Sequence, residues 1–384
     1  MTISSFFCPT RIYLGKDSHQ KLSDEIKRYQ CERLFIALDA ALIDSDLFDR
    51  IKTILEATGV KYLTFTDIEP DPSAITVSKA FDACSAHRAT ALLAIGGGST
   101  IDVAKAVGIL ATNGGRIHDY EGIEKFSKAP LPLIVIPSTA GTGSEVSGSC
   151  VITDTVTQRK MSIRHAALNP AAVAILDPLA VQTVPGHVAA HSGMDAFVHS
   201  FESYISLHAN AFTDAINIQA LRLIAGNIRQ FVANRANAEA ASNMLYGSAL
   251  AGMTFGQTGL GNVHCMARFI GASLHLSHGL SNAVCLPHVA RFNLMANPQK
   301  YADIARAMGC HIDGMTTLEA AQAAVVAIEK LCQDLNIPSR LRDLGANEAD
   351  FDEMAQNCLD AGYNRWNPRQ TTRTDFRQLL QQAF

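Results

Sequence analysis

The stretch "ALLAIGGGSTIDVAKAVGILAT" (91–112) decides the predicted fold of this 384-residue chain. An apolar run, three glycines and then apolar residues at helical spacing predict a strand, a tight turn and a helix. Glycines let backbone N–H groups approach a phosphate, and the first turn of a helix adds partial positive charge. Ser99 is expected to cap the helix and contact the phosphate. A turn without a ligand is an equally good interpretation, because neither a Walker A nor a GxGxxG pattern is present.

Strands and helices alternate on both sides of this glycine turn. Residues 75–87 show helical spacing, as residues 100–112 do. Buried strands are predicted at 33–38 and 61–65, and a further strand at 131–137. Such alternation is typical of parallel βαβ units. The first half of the chain is therefore predicted to be an α/β nucleotide-binding domain.

The character of the chain changes after residue 178. Long helical patterns cover 194–206, 213–235 and 314–335, and few β-branched runs remain. The sequence therefore predicts an α/β domain over 1–182 and an all-helical domain over 183–384. Ligands of such proteins usually lie in the cleft between the domains.

Composition excludes several classes of function. The chain is 48% apolar and 18% charged, and its net charge is −4. It therefore lacks the surplus of basic residues that is typical of nucleic-acid-binding proteins. The chain contains no run of 18 apolar residues, so no membrane span is predicted. The N-terminus lacks a signal-peptide pattern. Nine scattered cysteines without a CxxC pair favour a reduced, cytoplasmic protein.

Two further segments carry candidate cofactor contacts. The turn "PSTAGTGSEVS" (137–147) follows an apolar strand and supplies small hydrogen-bonding groups, although a plain loop is the alternative. Asp39 ends the run "RLFIALD", where an acid can bind an adenosine ribose and repel a 2′-phosphate, which favours NAD over NADP. Taken alone, Asp39 is better interpreted as a helix-capping or turn residue.

A candidate metal site lies in the helical half. Asp195 and His199 are four residues apart, so on a helix they share one face. A lone pair of this kind is better explained by a structural hydrogen bond, but His264 and His278 lie in the same predicted domain. One carboxylate and three imidazoles suit Fe, Zn, Co or Ni.

The stretch "VHCMARFIGASLHLSHG" (263–279) cannot be one straight helix if both of its outer histidines bind one ion. A straight helix would separate His264 from His278 by about 21 Å along its axis. Two ligands of one metal each lie about 2 Å from it. The chain must then bend between the two histidines, and Gly271 favours a bend within residues 271–277.

Four motifs in this order resemble the iron-containing (group III) alcohol dehydrogenases, a family that includes lactaldehyde reductase and 1,3-propanediol dehydrogenase. The motifs are "GGGSTIDVAK", "PSTAGTGSEVS", "GMDAFVHSFESY" and "GLGNVHCMARFIGASLHLSHGLSNAVCLPHV". The resemblance covers essentially the whole chain. It implies an α/β nucleotide-binding domain and an all-helical metal domain, an architecture similar to that of dehydroquinate synthase.

The resemblance also implies roles for individual residues. It makes Asp195, His199, His264 and His278 the metal ligands. It assigns cofactor contacts to Asp39, Asp71, Gly97, Gly98, Ser99, Asp102, Thr139, Thr142 and Lys160. Among these, Asp71 would lie near the adenosine half and Lys160 on the nicotinamide side.

The chain departs from the family pattern at Arg268. Members commonly carry a second histidine there, four residues after the first ligand of the stretch, near the substrate. Arg268 and His275 are therefore the candidate catalytic residues, with His275 as a replacement for the missing histidine. Arg268 would bind an anionic substrate tail such as a carboxylate, phosphonate or sulfonate. The stronger alternative is an internal salt bridge, for instance with Glu202.

The implied function is hydride transfer between NAD(H) and a small primary alcohol or aldehyde, with Fe²⁺, or Zn²⁺ in its place, as Lewis acid. A reductase of aldehydes with an anionic tail and a metal-dependent lyase or cyclase of the dehydroquinate synthase type are the alternatives. The lyase is disfavoured because the helical motifs are poor in lysine. A homo-oligomer, a dimer or larger, is also expected, without a nucleic-acid or membrane partner.

Overall fold

The computed structural model describes residues 5–157 and 159–384. The chain divides into two compact units, Phe7–Val184 and Pro185–Phe384, and the second also takes in the two described residues that precede Phe7. The boundary expected from the sequence lies between residues 182 and 183.

The first unit contains a six-stranded, wholly parallel sheet in the order β1-β9-β6-β4-β2-β3. Its strands are β1 (Arg11–Leu14), β2 (Arg33–Leu38), β3 (Lys61–Phe65), β4 (Ala91–Gly96), β6 (Leu133–Pro137) and β9 (Val173–Leu176). The helices of this unit are α1 (Leu22–Arg28), α2 (Asp46–Thr58), α3 (Ala74–His87) and α4 (Gly98–Asn113). The predicted α/β class with a parallel sheet is confirmed.

Side chains that alternate along the central strands bury both faces of the sheet. Leu92 of β4 packs with one apolar core that includes residues of α3 and α4. Leu93, the next residue, packs with a second core that includes residues of α1 and α2. Helices on both faces explain why these strands are apolar without interruption.

The sequence analysis missed β1 and a second, three-stranded sheet. That sheet contains β5 (Gly122–Ile123), β7 (Ser149–Asp154) and β8 (Arg159–Arg164), in the order β5-β8-β7. β7 and β8 pair in antiparallel fashion. Cys150 and Ile152 of β7 and Met161 and Ile163 of β8 are buried, whereas the residues between them are only partly buried and the ends of both strands are polar. The alternation of buried and partly buried residues covers only a few positions, and the segments contain many polar residues. The sequence pattern therefore did not indicate these strands.

The second unit is helical among its described residues. Its helices are α5 (Gly186–Ile205), α6 (Ala211–Ala233), α7 (Ala238–Thr258), α8 (Asn262–Leu274), α9 (His278–Asn293), α10 (Pro298–Ala307), α11 (Thr317–Asp334), α12 (Phe351–Asp360) and α13 (Arg373–Ala383). The predicted helical C-terminal domain is confirmed. No helix among the described residues is long and apolar enough to cross a membrane.

The bend expected between His264 and His278 is present, but not at Gly271. Helix α8 continues through Gly271 and ends at Leu274, and His275 follows in the left-handed conformation with φ 53°. Helix α9 then begins at His278. Gly271 permits close packing instead, because a Cβ built there would lie 2.8 Å from the Ser281 hydroxyl oxygen.

Close approach between α5 and α9 depends on Gly279. A Cβ built at Gly279 would lie 2.2 Å from the carbonyl oxygen of His191 and 2.6 Å from its carbonyl carbon. A backbone neighbour cannot rotate away as a side chain can. The glycine therefore allows the first turn of α9, and with it His278, to lie against α5.

We expect Gly279→Ala to destabilise the protein by about 1–3 kcal/mol or more, the usual cost of forcing extra volume into a packed interior. Gly226→Ala in α6 is the matched control, since a Cβ there meets nothing within 4 Å. Alanine at that position should be neutral or stabilising by up to about 1 kcal/mol. Urea unfolding of both variants measures the difference, and equal midpoints would contradict the packing argument.

Candidate metal centre and cofactor-binding edge

Helix α5 positions two of the predicted metal ligands. Asp195 and His199 lie one helical turn apart and are almost fully buried. The Oδ1 atom of Asp195 lies 3.9 Å from Nε2 of His199. The ring of Phe255 stacks on His199 with centroids 4.4 Å apart and forms an apolar wall.

The bend between α8 and α9 brings the other two histidines to the same place. Nε2 of His264 lies 3.7 Å from Oδ1 of Asp195, and Nε2 of His278 lies 3.8 Å from it. Donor atoms that share one ion at about 2.0–2.2 Å can be at most about 4.4 Å apart. Asp195, His199 and His264 offer ligand atoms that all lie within 4.8 Å of one another and could hold one metal ion, whereas His278 is placed beside them by its approach to Asp195.

The centre is closed on one side and open on another. Asp195, His199 and His264 have side chains only 3–6% exposed, whereas that of His278 is 47% exposed. Burial lowers the pKa of His264 well below its ordinary value, which keeps the imidazole neutral. A neutral imidazole and an ionised carboxylate are the forms that bind metals.

Glu202 fixes the orientation of His264, a role that the sequence analysis missed. One carboxylate oxygen of Glu202 lies 2.7 Å from Nδ1 of His264, and the other accepts the backbone N–H of Val263 at 2.7 Å. Burial raises the pKa of Glu202 to about 7, and backbone N–H donors oppose that rise. When Glu202 is ionised its carboxylate only accepts, so Nδ1 of His264 carries the proton and Nε2 presents its lone pair to the centre. The sequence offered one clue, because Glu202 lies three residues after His199.

Asn282 is a second residue that the sequence analysis missed. Its Nδ2 donates to Oδ1 of Asp195 at 2.7 Å and lies 3.2 Å from Nε2 of both His264 and His278. It follows His278 by one turn of α9. Asn282 therefore joins the ligands of three different helices.

The predicted cofactor residues collect at the carboxyl edge of the parallel sheet. The chain passes from β2 outward to β3 and then returns to β4 on the other side of β2. This reversal is a topological switch point, where α/β proteins bind ligands at the carboxyl ends of the strands. Asp39 ends one of the two strands at this point, and Gly97–Ser99 follows the other. One oxygen of Asp39 accepts the N–H of Ala41, the local capping role that its sequence position alone favours.

The glycine turn and the threonine turn lie against each other. A Cβ built at Gly98 would lie 2.8 Å from Cγ2 of Thr142, and one at Gly97 would lie 3.4 Å from Cγ2 of Thr139. The prediction that Ser99 caps α4 is wrong, because Gly97 is at the cap position and Ser99 lies inside the first turn. The Ser99 hydroxyl instead accepts the N–H of Asp71 at 3.3 Å.

Asp102 braces the two turns from within the protein. Its carboxylate accepts the Ser144 hydroxyl at 2.7 Å and the Val151 N–H at 2.9 Å. Lys105 of the same motif donates to the carbonyl oxygens of Ser147 and Ser149, both at 2.8 Å. Each oxygen of Asp102 accepts one hydrogen bond inside the protein, so Asp102 positions the chain around the threonine turn. Its direct contact with a cofactor stays a prediction.

Asp71 and Lys160 form one ion pair, with Nζ 2.6 Å from Oδ1. The pair lies beside the glycine turn, because the backbone N–H of Asp71 donates to the Ser99 hydroxyl at 3.3 Å. The placement of Asp71 near the adenosine half of the cofactor and of Lys160 on its nicotinamide side stays a prediction.

The two candidate catalytic residues are both exposed, Arg268 on α8 and His275 at its C-terminal end. A salt bridge from Arg268 to Glu202 is absent, because Glu202 bonds to His264 and Val263. Arg268 is exposed on α8, one turn after His264. His275 is also exposed and ends α8 in the left-handed conformation. Proton transfer by His275 stays a prediction.

Family models match nearly the whole chain. The model described as iron-containing alcohol dehydrogenase matches residues 9–178, and that of the C-terminal part of the Fe-containing alcohol dehydrogenase family matches residues 189–384. The chain belongs to the iron-containing alcohol dehydrogenase family. This confirms the resemblance and the prediction of an enzyme acting on alcohols and aldehydes.

Individual family members are similar over their full length. A 1,3-propanediol dehydrogenase from Citrobacter freundii is 40% identical over 99% of this chain and 98% of its own. An NAD-dependent methanol dehydrogenase from Bacillus methanolicus is 35% identical over 100% of both chains. The crystal structure of a 1,3-propanediol oxidoreductase is 38% identical and superposes with a TM-score of 0.96 over 100% of both chains.

We expect Glu202→Gln to weaken metal binding by about 10- to 100-fold, the usual effect of losing the partner that orients a ligating histidine. Competition between the purified protein and a chelator, with Co²⁺ or Zn²⁺ as the ion, gives the dissociation constant. Glu329→Gln is the matched control, because Glu329 pairs with Arg291 at the protein surface. Equal metal retention by the two variants would show that Glu202 does not orient the ligand.

We expect Glu145→Gln to stabilise the protein at alkaline pH. Burial raises the pKa of Glu145 from 4.5 to about 7, and its Oε1 has no hydrogen-bond partner among the described residues. A raised acid pKa means that the folded state holds the proton more tightly, so wild-type stability falls as pH rises from about 4.5 to 7. Glutamine escapes this cost, which is of the order of 3 kcal/mol.

Thermal unfolding at pH 5 and pH 8 checks this expectation. The advantage of Glu145→Gln over wild type should be larger at pH 8 than at pH 5. Glu121→Gln, at an exposed position of the same unit, is the matched control. An advantage that does not grow with pH would contradict the assignment.

Proposed function

We propose that this chain is an NAD-dependent, metal-dependent dehydrogenase of small primary alcohols that also reduces the corresponding aldehydes. The observation that carries the proposal is the convergence of one carboxylate and three imidazoles, one of them held in its ligating tautomer by Glu202. The family assignment favours this chemistry over a lyase or cyclase.

Asp195, His199, His264 and His278 would hold the metal in the helical unit. A bound Fe²⁺, or Zn²⁺ in its place, would supply Lewis acidity toward the oxygen of the alcohol or aldehyde. Asp195 contributes one negative charge, and the neutral histidines leave the charge of the cation only partly balanced. The ring of Phe255 stacks on His199, which limits water on that side.

The carboxyl edge of the sheet would hold NAD in the α/β unit. Backbone N–H groups at the start of α4 suit the pyrophosphate, since α4 has no side chain capping its N-terminus. The second oxygen of Asp39 would accept a ribose hydroxyl and repel a 2′-phosphate. The dependence of the Bacillus methanolicus relative on NAD supports the same choice.

The reaction moves one hydride and one proton. In the oxidative direction the alcohol carbon gives a hydride to NAD⁺, the hydroxyl proton passes to solvent, and NADH and an aldehyde result. In the reductive direction NADH returns the hydride to the carbonyl carbon and a proton adds to the oxygen. The names of the relatives, which act on methanol and 1,3-propanediol, support a short primary alcohol.

The test is metal analysis of the purified protein together with oxidation of NADH by a panel of short aldehydes. We expect about one ion of Fe or Zn per chain and NADH oxidation that greatly exceeds NADPH oxidation. His264→Ala and His278→Ala should abolish turnover because each removes a proposed ligand. His208→Ala is the matched control, since His208 lies in the loop between α5 and α6.

Two results would overturn the proposal. Wild-type turnover by the His264→Ala protein would exclude a catalytic metal at this centre. A preference for NADPH would exclude the proposed role of Asp39 while leaving the metal centre intact.

The homo-oligomer and the cytoplasmic location stay predictions. All nine cysteines are free thiols, and seven of them are buried. Light scattering of the purified protein measures its oligomeric state.

A further inference from the structure

Arg268 is a cation without an ion-pair partner among the described residues. It lies one helical turn after His264, and its side chain is exposed. Glu202, the acid that the sequence offered as its partner, already bonds to His264 and Val263. The positive charge of Arg268 is therefore available to a ligand.

The geometry of α8 directs Arg268 toward the turn that carries His264. Side chains at i and i+4 share one face of a helix, about 6 Å apart along its axis. Each Cα–Cβ bond also tilts toward the N-terminus of the helix. The long side chain of Arg268 thus covers the surface over the His264 turn.

The surroundings of Arg268 add a second polar group. Burial raises the pKa of the Tyr363 hydroxyl, while the charge of the Arg268 guanidinium and a hydrogen bond from it lower that pKa. The ring of Phe269 lies 5.8 Å from the guanidinium carbon.

We propose that Arg268, with the Tyr363 hydroxyl beside it, binds the anionic tail of a short aldehyde whose carbonyl is reduced at the neighbouring metal centre. The spacing of one helical turn suits a sulfonate, phosphonate or carboxylate two or three bonds from the carbonyl carbon. All three groups offer the oxygens that a guanidinium fork binds in bidentate fashion. This inference rests on the proposed function and specifies its substrate.

The first experiment compares kcat/KM for charged and uncharged aldehydes with NADH. The charged substrates are 2-oxoethanesulfonate, 2-oxoethylphosphonate and 3-oxopropanoate, and the uncharged reference is propanal. We expect at least one charged aldehyde to exceed propanal by about 10- to 100-fold, the range that a hydrogen bond to a charged group supports. Arg268→Gln should lower that ratio by a similar factor, and Arg268→Lys should restore part of it.

Arg365→Gln is the matched control for charge. The guanidinium of Arg365 stacks on the ring of Trp366 at 4.0 Å, and Arg365 lies two residues after Tyr363 in the chain. Its removal takes away a nearby positive charge without touching Arg268. The ratio of kcat/KM should stay close to that of wild type.

The second experiment measures binding without turnover. Trp366 is the single tryptophan of the chain, and its ring packs edge-on against Tyr363 at 5.6 Å. Titration with propane-1-sulfonate, ethylphosphonate or propionate should change the tryptophan fluorescence of wild type. The same titration of Arg268→Gln should need at least about tenfold more anion.

The outcomes separate this inference from the proposed function. Efficient reduction of propanal with no preference for any charged aldehyde overturns the inference and leaves the proposed function in place. Equal losses for charged and uncharged substrates in Arg268→Gln, with unchanged anion binding, also overturn it, because they indicate a purely structural arginine. Failure to reduce any aldehyde with NADH overturns both.

Discussion

The hydrogen bond between Glu202 and His264 is the interaction on which the helical unit depends for its chemistry. It joins α5 to the start of α8 and decides which ring nitrogen of His264 carries the proton. The second oxygen of Glu202 accepts the N–H of Val263, so the same carboxylate satisfies a backbone donor in the first turn of α8. One buried acid thus fixes both the position of a helix and the lone pair of a ligand. Because Glu202 is engaged in this way, it does not form an ion pair with Arg268.

The α/β unit uses buried charge for a related purpose. Asp102 is partly buried and Lys105 is buried. They hold the chain after the threonine turn against α4 through hydrogen bonds to Ser144, Val151 and two carbonyl oxygens. The glycines then let the two turns touch. Several residues of the motif "GGGSTIDVAK" therefore position the threonine turn, the loop that would contact the cofactor.

Sequence patterns predicted most of the architecture because long periodic segments carry strong signals. The runs over 33–38 and 61–65 match β2 and β3 residue for residue. The bend between α8 and α9 followed from a distance argument alone, since one ion cannot reach both ends of a straight helix. The exact position of the bend was harder to predict, because His275 rather than a glycine takes the left-handed conformation. Glu202 and Asn282 escaped notice because their partners lie 62 and 87 residues away in the sequence.

The unequal exposure of the four proposed ligands has a consequence for how the centre exchanges its ion. Three donors lie behind protein atoms, while His278 is half open to water. An ion bound by these four side chains would enter and leave on the side where His278 stands, because the other three donors lie behind protein atoms. The accessibility of that one imidazole would then set how readily one divalent cation replaces another.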